Sequence, residues 1–151
     1  MKRTPLKRTT ALKAKTHLKA KTPLKPRKSN GLKIRRDPLD ILFSEFIRRR
    51  SKGYCQRCGQ YYGWKKLQAC HFHGRARQSV RYDPDNAIAG CMGCHVYLDS
   101  QPMEKVDFFK RLLGEEKFDM LNSRMRNTGK IDKQAIELYL KAKIEEFKNG
   151  I

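Results

Sequence analysis

Chemistry is most legible in this chain at its five cysteines. Four of them form two CxxC pairs, Cys55-Gln-Arg-Cys58 and Cys91-Met-Gly-Cys94, separated by 32 residues. Each CxxC presents two thiolates to one ion, and two such pairs complete a tetrahedral shell. Gly59 and Gly93 lie where tight turns around a metal ask for backbone freedom. A thioredoxin-like redox centre would need only one CxxC in a βαβ setting, which the sequence does not offer. The pattern predicts one structural Zn2+ held by Cys55, Cys58, Cys91 and Cys94, bound as the domain folds. The fifth cysteine, Cys70, is read as a buried neutral thiol rather than a ligand.

A second set of residues lies inside the cysteine frame: Ala69-Cys-His71-Phe-His73-Gly-Arg75, then Asp85-Asn86, then Cys94-His95-Val-Tyr-Leu-Asp99. His71 precedes Asn86 by 15 positions and His95 follows it by nine, while Cys91 and Cys94 follow it by five and eight. Taken together, these spacings resemble the HNH (ββα-metal, or His-Me finger) endonucleases. Their motif is a strand-borne His, a loop Asn and a helix-borne His, often framed by two CxxC pairs. Leu42-Phe-Ser-Glu-Phe-Ile-Arg48, the Ala69-Cys-His-Phe72 core and Ser79-Val-Arg-Tyr-Asp-Pro-Asp-Asn86 are similar to the phage NinG/Rap recombination nucleases. They are similar also to related phage HNH nicking enzymes. The resemblance spans about residues 37–125 and leaves out the C-terminal helix and the N-terminal repeats.

The resemblance implies a metal-dependent DNA endonuclease that nicks or cuts branched DNA in phage recombination or replication. Carried over residue by residue, it makes His71 the general base, since neutral imidazole accepts a proton from water near pH 7. Asn86 becomes the brace of the loop, and His95 a ligand of a catalytic Mg2+ or Mn2+. Asp99, one turn beyond His95, adds a hard oxygen ligand on the same helical face. His73 projects to the same face as His71 and is an alternative base or ligand. Arg75, Arg77 and Arg81 crowd the loop beside the site, where they hold DNA phosphates. One departure stands out. Many HNH enzymes place an acidic or histidine ligand before the base, where this chain has Cys70, a poor partner for hard cations.

These side chains need elements to position them. Asp37 caps a helix with Pro38 at its first position. Leu39, Leu42, Phe43, Phe46 and Ile47 form one apolar stripe along it, basic residues follow, and Gly53 stops it. Residues 54–99 read as short β elements in a turn-rich segment ending in a helix. Beyond Pro102, three helical patterns are marked by Val106, Phe109 and Leu113, by Phe118, Leu121 and Met125, and by Ile136, Leu140, Ile144 and Phe147. The expected class is α+β: a small zinc-stabilised ββα-metal domain at 37–102 with its leading helix, and a helical region at 103–151.

Residues 1–36 differ in kind. They carry fourteen Lys or Arg, no acid, and four hexapeptide repeats such as Lys21-Thr-Pro-Leu-Lys-Pro26. One leucine in six suits neither helix nor strand, so this segment reads as a disordered basic arm that tracks a phosphate backbone. The whole chain carries +20, of which the residues after 36 contribute +6. A charge this one-sided points to a polyanionic partner. The expected partner is DNA, possibly branched. No segment is apolar enough to cross a membrane and no secretory signal is visible, so the expected location is cytoplasmic. The other function compatible with the composition is a zinc-stabilised nucleic-acid-binding protein without catalysis.

Overall fold

The computed structural model describes residues 37–150, which belong to one compact unit. The basic repeats at 1–36 lie outside the described residues. The class is α+β, with five helices and a two-stranded sheet. Among the described residues, no helix is long and apolar enough to cross a membrane.

Helix α1 spans Pro38–Arg50 and begins as its sequence dictates. Asp37 accepts a hydrogen bond from the Leu39 N–H, and Pro38 fills the first turn. Its stripe of Leu39, Phe43, Phe46 and Ile47 is buried. The helix ends at Arg50, and Lys52 and Gly53 both take positive φ as the chain reverses toward Cys55.

Strand β1, Gln68–His71, pairs antiparallel with β2, Ala87–Gly90, setting His71 opposite Ala87 and Cys70 opposite Ile88. Helix α2, Met92–Ser100, starts directly after β2. Side chains alternate across the pleat. Ala69 joins the core cluster built on α1, whereas Cys70 joins Ile88, Leu98 and Phe109 on the α2 side.

Helices α3 (Pro102–Leu113), α4 (Glu115–Arg126) and α5 (Lys133–Lys148) complete the unit. Gly114, at φ 81°, separates α3 from α4. The 103–151 region shares its cores with the residues before it. Phe109 and Phe118 pack against Phe72, while Leu140 and Ile144 of α5 join Leu39, Phe43 and Phe46 of α1. Two cores therefore face each other across the small sheet, and β1 belongs to both.

Candidate functional site

The cysteine site is assembled by two unlike pieces of backbone. Cys55 and Cys58 sit in a tight hairpin turn. The Gly59 N–H donates to the Cys55 carbonyl, the Cys55 N–H donates to that of Gln60, and Gly59 takes φ 72°. Cys91 caps α2 and Cys94 lies in its first turn. Gly93 is inside that helix, so the freedom that Gly59 uses is not what Gly93 supplies. All four sulfurs lie within 4.8 Å of one another. Tetrahedral zinc with Zn–S bonds of about 2.3 Å sets its sulfurs roughly 3.8 Å apart. The four thiols therefore fit a metal such as zinc.

The protonation chemistry of these thiols is uneven. Burial raises the Cys55 pKa, yet N–H groups of Cys58, Cys91 and Arg57 outweigh it and bring the thiol down to about 6. Cys91 is lowered chiefly by a backbone hydrogen bond from Cys94. Burial pushes Cys94 up to about 12, against the Arg57 guanidinium 3.6 Å from its sulfur. A divalent ion would replace the proton that burial keeps on Cys94.

Asn86 sits at the opposite end of β2 and is fully buried. Its Oδ1 accepts from the His73 N–H at 2.8 Å, and its Nδ2 donates to the carbonyls of His73 and Val80 at 3.0 and 2.8 Å. One side chain thus closes the loop between the strands. Helix α4 locks the same loop from outside: Arg124 pairs with Asp83 and Asp85, and Ser79 Oγ donates to the Met125 carbonyl.

His71 ends β1 on the α1 side of the sheet. Its ring lies 5.6 Å from that of Phe43, and burial lowers its pKa to about 4. It is neutral at pH 7, and its basicity is weakened by the same burial. His73 is also lowered by burial, and its Nε2 donates to Asn122 Oδ1 at 3.0 Å, so α4 engages the alternative base.

His95 lies on α2, next to the last cysteine. Its Nδ1 donates to Gln68 Oε1 at 2.6 Å, which leaves Nε2 as the bare nitrogen, 3.2 Å from Asp99 Oδ2. Lys105 Nζ lies 2.7 Å from the other Asp99 oxygen. Among the described residues, the four cysteines form the only cluster of three or more His, Cys, Asp or Glu suited to a metal. His95 and Asp99 belong to no such cluster.

A cleft of about 370 Å3 runs between α1 and the start of α2, lined by Gln68, Ala69, Arg75 and His95 and by Asp40, Ser44 and Arg48 of α1. His71 does not line it, although the cleft residues Arg75 and Asp40 are among the charges acting on its ring. Arg75 and Arg77 are exposed. Arg81 is engaged inside the protein: its guanidinium binds both oxygens of Asp40, at 2.9 and 2.6 Å. Cys70 is buried completely, its thiol pushed up to about 12 by desolvation, and its sulfur would lie 2.6 Å from a Cβ at Gly90.

Two features of the site are absent from the sequence reading. Gln68 orients His95 from 27 positions away, and α1 contributes a polar wall as well as its apolar stripe. The sequence marks neither, because a lone Gln has no diagnostic spacing and Asp40 reads as an ordinary first-turn acid.

A family model described as Bacteriophage Lambda NinG protein matches residues 1–150. The chain belongs to the NinG family. The match extends beyond the span of about 37–125 drawn from sequence motifs, taking in the N-terminal repeats and α5 of this NinG-family chain. No curated protein and no solved structure matches it.

Proposed function

We propose that this NinG-family protein is a metal-dependent DNA endonuclease of the HNH (ββα-metal) type. The observation that carries the reading is the strand–loop–strand–helix unit from β1 to α2. It puts His71 at the end of the first strand, Asn86 as the brace of the loop and His95 on a helix fixed at its start by two cysteines.

Hydrolysis of a phosphodiester needs an activated water, charge stabilisation on the phosphoryl oxygens and a route for the leaving alkoxide. His71, neutral at pH 7, is the group able to take the water proton. Its low pKa would rise as a phosphate approaches and favours the charged ring. His95 Nε2 and Asp99 Oδ2 would hold a Mg2+ or Mn2+, whose other positions water and phosphate fill. When bound, that ion supplies Lewis-acid stabilisation of the phosphate. Gln68 keeps the His95 Nε2 lone pair available, and Lys105 holds the second Asp99 oxygen. The four-cysteine site scaffolds this arrangement and takes no part in the reaction. Arg75 and Arg77, exposed on the loop, would meet DNA phosphates.

The test uses supercoiled plasmid and four-way-junction DNA with Mg2+, Mn2+ or EDTA. The expected result is metal-dependent cleavage that is lost in a folded, zinc-replete His71→Ala variant. Undiminished cutting by that variant would remove His71 as the base. DNA binding without cleavage under every metal condition would establish instead a zinc-stabilised binding protein, the reading that the burial of His71 against Phe43 favours.

A further inference from the structure

The first cysteine turn carries an aromatic patch that neither the zinc site nor the cleft uses. Tyr54 and Tyr61 face each other across an isolated β-bridge, with ring centroids 5.2 Å apart, and are 53% and 66% exposed. Tyr62 beside them is not part of the patch, because its hydroxyl is turned to the Cys91 and Cys58 thiols of the zinc site. Large aromatics left in water next to one another mark an interaction surface more often than a folding requirement. Their positions are fixed. Gly53, at φ 88°, lets the Tyr61 ring lie across its backbone, where a Cβ would come within 2.7 Å of that ring. The turn behind them is closed by the Cys55 N–H donating to the Gln60 carbonyl.

Charge identifies the partner. From Phe46 to Tyr82 the chain holds ten Lys or Arg and no acid. Lys52, Lys65 and Lys66 flank the tyrosines and are exposed. Trp64 is not part of the patch, since Arg49 stacks over its ring at 4.0 Å. Exposed, preset aromatic faces with exposed lysines close by in the chain match the chemistry of unpaired nucleic-acid bases, which stack on π surfaces while their phosphates meet the cations. A fully paired duplex keeps its bases stacked on each other and has none to offer.

We propose that Tyr54 and Tyr61 form a stacking surface for unpaired bases, and that these two side chains are what would let the protein tell a single-stranded or forked segment from a continuous duplex. This inference rests on the nucleic-acid reading above and narrows its substrate.

The test measures binding of the full-length, zinc-loaded protein to fluorescein-labelled single-stranded, forked and fully paired DNA of one sequence. The double variant Tyr54→Leu/Tyr61→Leu keeps apolar bulk and removes the π faces. It is expected to bind single-stranded and forked DNA about tenfold more weakly, with duplex affinity changed by less than about twofold. Tyr54→Phe/Tyr61→Phe is expected to restore the preference. Unchanged discrimination by the Leu variant, with duplex binding intact in the parent, would overturn the stacking surface alone and assign the tyrosines to a protein partner. Failure of the parent to bind any of the three DNAs would overturn the nucleic-acid reading with it. If the Leu variant loses zinc, photocrosslinking decides with the parent protein. A 5-iodouracil at the unpaired position is expected to crosslink within residues 53–63, and crosslinks found only elsewhere would refute the proposal.

Discussion

Replacing Asn86 with Ala would remove one side chain that serves three backbone groups of the inter-strand loop. The Val80 carbonyl is buried with it, whereas the His73 N–H and carbonyl are partly exposed and regain water as the loop opens. A buried group left without a partner costs about 1–3 kcal/mol and a partly hydrated one roughly 0.5–1. The sum is about 3 kcal/mol for Asn86→Ala, before any loss of packing at a side chain with no exposed surface. Urea unfolding of zinc-loaded parent and variant, at one zinc concentration, measures this directly, since metal in excess stabilises whichever state binds it. Hydrogen exchange adds a local reading: the His73 amide should lose protection while those of α5 keep theirs. Asn86→Asp sharpens the argument. It would turn oxygen toward two carbonyls, so its carboxyl should have a raised pKa, and the variant should regain stability as pH falls. A loss below about 1 kcal/mol for Asn86→Ala, or unaltered His73 exchange, would refute the bracing role.

Three further outcomes follow from the same structure. Chelation or Cys91→Ser should unfold the described unit, with about one zinc per chain lost by elemental analysis, because without the ion two separate pieces of backbone are joined there by little more than the hydrogen bonds between Gln56 and Ala89 and from the Cys91 N–H to the Cys55 sulfur. His71 has a folded pKa of about 4 against an ordinary 6.5, so the unfolded chain binds more protons between these values. Stability should be complete above about pH 6.5 and fall by about 3 kcal/mol as pH drops toward 4, and His71→Phe should flatten that slope in acid titrations followed by circular dichroism. Gly90→Ala should destabilise the sheet by roughly 1–3 kcal/mol, because its new methyl would lie 2.6 Å from the Cys70 sulfur. Cys70→Ala should recover much of that loss in a double-mutant cycle, and strict additivity of the two would contradict the contact.

The sequence was most readable where local spacing and physical need coincide. The α1 stripe, its Asp37 cap and the CxxC pairs are short-range patterns, and the structure contains them at those residues. The alternation that placed His71 and His73 on one face also separates Cys70 from them, and that thiol lies in the α2-side core. Long-range pairings left no such mark. The loop position of Arg81 suggests a phosphate contact, whereas in the structure Asp40, 41 positions away, holds its guanidinium. Arg50 ends α1 among its last-turn basic residues and is half-buried, where it also donates to the carbonyls of Pro84 and Ala87, a pairing more than 30 positions away that no local pattern indicates. The C-terminal helices are legible as apolar patterns, and nothing in their periodicity indicates that Asn122 and Arg124 would hold the loop around Asn86. Tertiary geometry, not residue type, decides which arginines remain free.

The packing of α5 on α1 bears on how the protein is made. Phe43 and Leu140 share a core yet are separated by nearly the whole described chain. At roughly 5–20 residues per second, a ribosome would need about 5–20 s to deliver the second after the first. During that interval the apolar stripe of α1 emerges without its cover. Zinc can staple the middle of the chain sooner, once Cys94 has left the exit tunnel. The metal would then act first as a clamp on an unfinished nascent chain, shielding its centre until the last helix closes the core.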